Sequence, residues 1–220
     1  MSRGLRYLKS FFSEEVVERS SSPYNEVLEV WYVYGRLVLN TQNVNYSFGN
    51  LDKVFRSAFS QLRVDRRDVS DVLVLGLGAG NVPAILREHQ RGYQMVGVEI
   101  DAEVVRLARN HFELDSYGDV EVVVADATEY VADCTRRFDL VVVDLFVDAL
   151  VPQAAEQEEF LLRLQKLLRP GGLLLFNRLM HSPDLRQQSL AFTRIMTEAL
   201  PGTKFIKANS NRMLYYEKSR

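Results

Sequence analysis

The stretch Val72-Leu73-Val74-Leu75-Gly76-Leu77-Gly78-Ala79-Gly80-Asn81 decides the fold of this chain. Its four leading apolar residues read as a strand buried on both faces, the pattern of a parallel sheet covered by helices. Gly76, Gly78 and Gly80 then let the backbone turn sharply and approach a ligand where a Cβ would clash. A helix beginning near Val82 aims its unpaired N–H groups at whatever lies over that turn, so the unit reads as a nucleotide loop. The spacing is G-x-G-x-G. Asn81 stands where the dinucleotide fingerprint needs its third glycine, which speaks against an NAD-dependent dehydrogenase.

Downstream, apolar runs at Met95 to Ile100, Val120 to Ala125, Leu140 to Val143 and Leu173 to Phe176 alternate with helical patterns such as Phe160, Leu161, Leu164, Leu167 and Leu168. That alternation predicts an α/β chain with a doubly wound, mostly parallel sheet. Pro170-Gly171-Gly172 is expected to close one helix and open the strand at Leu173, and a long helix from about Asp184 to Leu200 is expected to stop at Pro201-Gly202. Lys204 to Ala208 and Arg212 to Glu217, joined by Asn209-Ser210-Asn211, are too close for a crossover and predict a C-terminal antiparallel hairpin.

Upstream, Glu14 to Asn45 carries a β pattern with a turn expected at Gly35-Arg36, which predicts two or three antiparallel strands. Leu51, Val54, Phe55, Ala58, Phe59 and Leu62 at helical spacing predict a helix leading into the sheet. The expected division is a small β-element over residues 1–50 and a Rossmann-like nucleotide-binding domain over residues 51–220.

Ligands of an open parallel sheet sit outside the carboxyl ends of its strands, so the residues there are the candidates. Glu99, some 20 positions after the loop, is placed to accept from two ribose hydroxyls, and Asp101 beside it either joins it or caps the helix that starts at Ala102. Asp126, followed by Ala127, can accept from an exocyclic amine such as adenine N6 while capping the next helix. Asp144, at the end of Leu140-Val141-Val142-Val143, puts an acid beside the nucleotide's reactive end. The apolar run from Leu145 to Val151 after it is either a lid or core.

Composition bounds the partners. With 25% charged residues and a formal net charge of −2, the chain has no global basic field for nucleic acid. No apolar run reaches the ~18 to 20 residues of a membrane span. One cysteine, Cys134, suits a reducing compartment and a cytoplasmic location. His89, His111 and His181 lie far apart without ligand spacing, so no metal is expected.

These residues resemble the spermidine synthases, aminopropyltransferases built on the Rossmann-like fold of class I AdoMet-dependent methyltransferases. Ser22-Pro23-Tyr24-Asn25 looks like that family's Ser-x-Tyr-Gln, Tyr34-Gly35-Arg36-Leu37-Val38-Leu39-Asn40 like its hairpin, and Asp144 like the first acid of its Asp-x-x-Asp loop. The resemblance implies S-adenosylmethionine (AdoMet) or its decarboxylated form as co-substrate, a small-molecule amine acceptor and a homodimer. It implies nucleotide binding by Asn25, Gly76, Gly78, Gly80, Glu99, Asp101, Asp126 and Ala127, with Asp144 as the catalytic residue that deprotonates the attacking amine. Three departures accompany it. Ala79 replaces the aspartate that holds the ammonium tail of decarboxylated AdoMet, Lys53 and Val54 fall where a Tyr-His or Tyr-Gln pair is usual, and Asp148 lies four rather than three residues after Asp144. A methyltransferase using AdoMet itself and a nucleotide-binding protein without catalysis therefore stand as alternatives.

Overall fold

The computed structural model describes residues 14–41, 50–89, 92–146 and 150–220. A seven-stranded sheet forms the body, in the order β6-β5-β4-β7-β8-β10-β9. Its strands are β4 (Asp71–Leu75), β5 (Gln94–Glu99), β6 (Val120–Val124), β7 (Phe138–Val143), β8 (Leu168–Leu179), β9 (Lys204–Ala208) and β10 (Asn211–Glu217). The first five run parallel, and β10 pairs antiparallel with both β8 and β9. This is the expected architecture, down to the terminal hairpin.

The continuous apolar runs are explained by what covers them. Val72 and Val74 face a core with Phe55, Phe59, Ile85 and Leu86, from helices α1 (Asn50–Gln61) and α2 (Asn81–Arg87). Leu73 and Leu75 face the opposite core with Phe160, Leu164, Phe192 and Met196, from α5 (Glu158–Leu167) and α6 (Pro183–Ala199). Successive side chains of a strand point to opposite faces, so a strand between two helix layers needs apolar residues at every position. The remaining helices, α3 (Ala102–His111) and α4 (Ala127–Asp133), follow β5 and β6.

A separate antiparallel sheet precedes the body, β1 (Glu15–Ser20), β2 (Leu28–Val33) and β3 (Arg36–Thr41). Its turn is Tyr34-Gly35, one residue earlier than the sequence suggested. Both residues have positive φ, 47° and 73°, the twist that matches a two-residue hairpin to its strands. The core of this sheet is shared with the body: Leu28, Val30 and Leu39 pack with Ala79 of the glycine loop and with Val104, Leu107 and Phe112 around α3.

Two further expectations are corrected. Pro170-Gly171-Gly172 does not separate helix from strand, because β8 starts at Leu168 and carries these residues as an irregularity between Phe138↔Leu168 and Leu140↔Leu173. The terminal turn is Asn209-Ser210, with Asn209 at φ 53°, so Asn211 already belongs to β10.

Candidate active site

A cleft opens above the carboxyl ends of β4, β5, β6 and β7, where the sheet order reverses direction around β4. Counting its open mouth it measures about 1030 Å³, and its walls come from Gly76, Gly78, Glu99, Asp126, Asp144 and Leu179 among others.

Glu99 holds the floor. Its Oε2 accepts the Gly78 N–H at 2.9 Å and its Oε1 accepts the Asp101 N–H at 3.2 Å, so the carboxylate braces the glycine loop from beneath. Burial raises its affinity for a proton, against those backbone hydrogen bonds, which favour the charged form. Each oxygen keeps acceptor capacity toward the cleft. Asp126 caps α4, accepting the Thr128 N–H at 2.7 Å and the Glu129 N–H at 3.2 Å. Burial pushes its proton affinity up, yet these hydrogen bonds prevail and the carboxyl sits below its ordinary range. Ala127 lines the cleft beside it.

Asp144 completes the acidic wall. Burial pushes its carboxyl up to about 7, with the charge of Glu99 adding to the rise and a hydrogen bond from Asn177 opposing it. The Asn177 amide donates to Asp144 Oδ1 at 2.8 Å. Asn177, wholly buried, was missed in the sequence; the signal was a polar residue directly after the apolar run of a central strand. Leu145 and Phe146 continue the wall, and Leu145 and Val151 also pack on the core behind it. Asp148 lies outside the described residues. The cleft thus gathers Glu99, Asp126 and Asp144, with no Lys, Arg or His among its described lining residues.

The other candidates sit elsewhere. Asp101 caps α3 by accepting the Glu103 N–H at 2.9 Å, and its second oxygen takes Ser22 Oγ at 2.5 Å and Asn25 Nδ2 at 2.7 Å. Asp101 and Asn25 are therefore committed to each other, fastening the first sheet to α3, and neither lines the cleft. Gly80 faces away as well: a Cβ there would meet Leu114 at 3.0 Å and Tyr117 at 3.2 Å, so this glycine serves helix packing. Ala79 points into the core beneath the first sheet, not at the cleft. Among the described residues no group of His, Cys, Asp and Glu side chains is placed to hold a metal ion, and no helix is long and apolar enough to cross a membrane.

Residues 62–198 match the family model described as the spermine/spermidine synthase domain. The chain belongs to that family. It is 25% identical over 174 residues to a probable polyamine aminopropyl transferase of Bifidobacterium longum, covering 76% of this chain and 38% of the relative. It is 30% identical over 135 residues to an eEF1A lysine and N-terminal methyltransferase homolog of Drosophila melanogaster, covering 57% of this chain and 20% of the relative. The chain thus spans less than half the length of these curated relatives. Spermidine synthase from Thermotoga maritima superposes with a TM-score of 0.73 over 93% of this chain and 73% of the other. At 17% identity that likeness is one of fold.

Proposed function

We propose that this chain binds an adenosyl sulfonium nucleotide and transfers its aminopropyl group to an amine, as a polyamine aminopropyltransferase. The observation that carries this reading is a cleft at the switch point walled by Glu99, Asp126 and Asp144, with no lining cation among the described residues. Such a site attracts cations, and both a sulfonium and an ammonium are cations. A dinucleotide, by contrast, would bring its pyrophosphate charges to this acidic wall.

Glu99 would accept from the ribose hydroxyls and Asp126 from the adenine amine, and the nucleotide would lie along the backbone of Gly76 and Gly78, which line the cleft. The acceptor arrives as an ammonium and must shed a proton before its nitrogen can attack. Asp144, with a carboxyl that titrates at about 7, is suited to receive it. The nitrogen lone pair then forms a bond to the carbon next to sulfur, the carbon–sulfur pair goes to sulfur, and a neutral thioether leaves. The protein's contribution is alignment plus a base.

Methyl transfer from AdoMet is the second reading. It is supported by the likeness to the eEF1A lysine and N-terminal methyltransferase homolog. Calorimetry with AdoMet, decarboxylated AdoMet and methylthioadenosine, followed by turnover with a panel of amines, decides between them. Preferential binding of decarboxylated AdoMet with amine-dependent release of methylthioadenosine is the expected result. Release of the demethylated nucleoside from AdoMet would establish the second reading, and binding without turnover would leave a nucleotide-binding protein.

A further inference from the structure

Asp144 is one end of a buried chain of amides that crosses three strands. Val143 of β7 pairs in register with Phe176 of β8, which brings the next residues, Asp144 and Asn177, side by side. Across the other edge of β8, Asn211 of β10 pairs with Leu179 and Met213 with Asn177, which puts Asn211 diagonally beside Asn177 on the same face. Asn177 Nδ2 donates to Asp144 Oδ1 at 2.8 Å, and Asn211 Nδ2 donates to Asn177 Oδ1 at 2.8 Å. Both asparagines are buried, at 0% and 4% exposure.

The direction of this chain is fixed by chemistry. A carboxylate only accepts, so Asn177 must turn its NH₂ toward Asp144 and its carbonyl away. That buried carbonyl then needs a donor, and Asn211 supplies it. We propose that Asn211, which does not line the cleft, is a positioning residue for the proton transfer: it fixes the orientation of Asn177, which reserves Asp144 Oδ1 as an acceptor and leaves Oδ2 to receive the proton.

Among the described residues, the other acids that line the cleft with Asp144 are Glu99 at the end of β5, whose charge raises the Asp144 carboxyl, and Asp126, which follows β6. Arg178, the next residue of β8, points to the opposite face, where it pairs with Glu156 and covers the Phe192 ring at 4.9 Å. These are unchanged by a substitution at position 211.

Asn211→Asp is nearly isosteric but replaces the donor by an acceptor. Asn177 is then drawn to turn its NH₂ toward position 211 and its carbonyl toward Asp144, which favours the protonated acid. Asn211→Leu removes the donor without adding an acceptor and serves as the second variant. The inference rests on the proposed role of Asp144 as base, so two readouts are needed. One is the ¹³C shift of the Asp144 carboxyl against pH, assigned with Asp144→Asn. The other is the acidic limb of kcat/KM.

In Asn211→Asp the carboxyl titration and the limb should both move up by about one pH unit, a tenfold change in proton affinity. Asn211→Leu should move them less in the same direction. Methylthioadenosine affinity should stay within about twofold in both variants. If the titration moves and the limb does not, the amide chain stands and Asp144 is not the base. A titration unmoved in both folded variants, or in Asn211→Leu alone should the aspartate variant not fold, overturns the inference.

Discussion

Gly76 lies so close to Asp144 that a Cβ added to the glycine would sit 2.3 Å from the Asp144 carbonyl oxygen. The first glycine of the loop is therefore what allows β4 and β7 to end side by side, with the Asp144 N–H bonded to the Leu75 carbonyl at 2.8 Å. Gly76 also has φ +84°, where an L side chain is strained. Gly76→Ala should lose about 3 kcal/mol or more of stability and weaken nucleotide binding, because the neighbour is backbone and cannot swing aside. Thermal melts and calorimetry on the variant check both; an alanine variant that melts with the wild type would contradict the close approach.

Glu99 has two duties, one toward the loop and one toward the ligand, and substitutions separate them. Glu99→Ala removes both and should weaken methylthioadenosine binding by roughly ten- to a hundredfold, about 1.5–3 kcal/mol. Glu99→Gln keeps one oxygen for the Gly78 N–H and should be less harmful to stability while still losing affinity. Calorimetry that finds wild-type affinity in Glu99→Ala would remove the ribose assignment.

Asp144→Asn keeps the shape of the acid and removes the base. Turnover should fall by ~10²- to 10⁴-fold with little change in nucleotide affinity. The same substitution has a signature in stability. A carboxyl raised from its ordinary value to about 7 holds its proton more tightly folded than unfolded, so it favours the folded state at low pH. That contribution is fully present below about pH 4 and is lost as pH rises through 7. The wild type should therefore lose roughly 2–4 kcal/mol relative to Asp144→Asn between those limits. Denaturant titrations at pH 5 and pH 8 measure it, and a gap that stays constant or shrinks with pH speaks against a raised Asp144.

Ala79→Asp would place a carboxylate among Leu28, Val30, Leu39, Val104, Leu107 and Phe112. An unpaired buried charge is expelled or protonated at a cost of several kcal/mol. The variant should melt well below the wild type, with exposure concentrated in the first sheet. A stable variant that gains affinity for decarboxylated AdoMet would mean that the side chain at 79 reaches the cleft.

The body of the fold was legible because its central strands β4, β7 and β8 carry apolar runs and the connections between its parallel strands a helical period, signals that follow from burial on two faces. The carboxyl ends of the strands were legible for the same reason: Glu99, Asp126 and Asp144 follow those runs and do line one cleft. The directions of Ala79 and Gly80 were not, since a turn of positive-φ glycines sends neighbouring side chains to opposite sides and spacing does not say which. Asp101 was ambiguous between ligand and cap, and the tie was broken by Ser22 and Asn25 from a segment 76 or more positions away. Asn177 and Asn211 gain their meaning only through strand order, which places β10 rather than β9 against β8.

The packing of Ala79 beneath the first sheet makes the grip on a nucleotide and the docking of that sheet neighbours across a single residue. Gly78 gives its N–H to Glu99 on the cleft side, while the adjacent methyl is clamped by Leu28, Val30 and Leu39 on the other. Whatever peels the first sheet away loosens the back of the loop, and whatever occupies the cleft holds the sheet down. Amide hydrogens of β2, none of which touches the ligand site, should accordingly exchange more slowly when the nucleotide is bound.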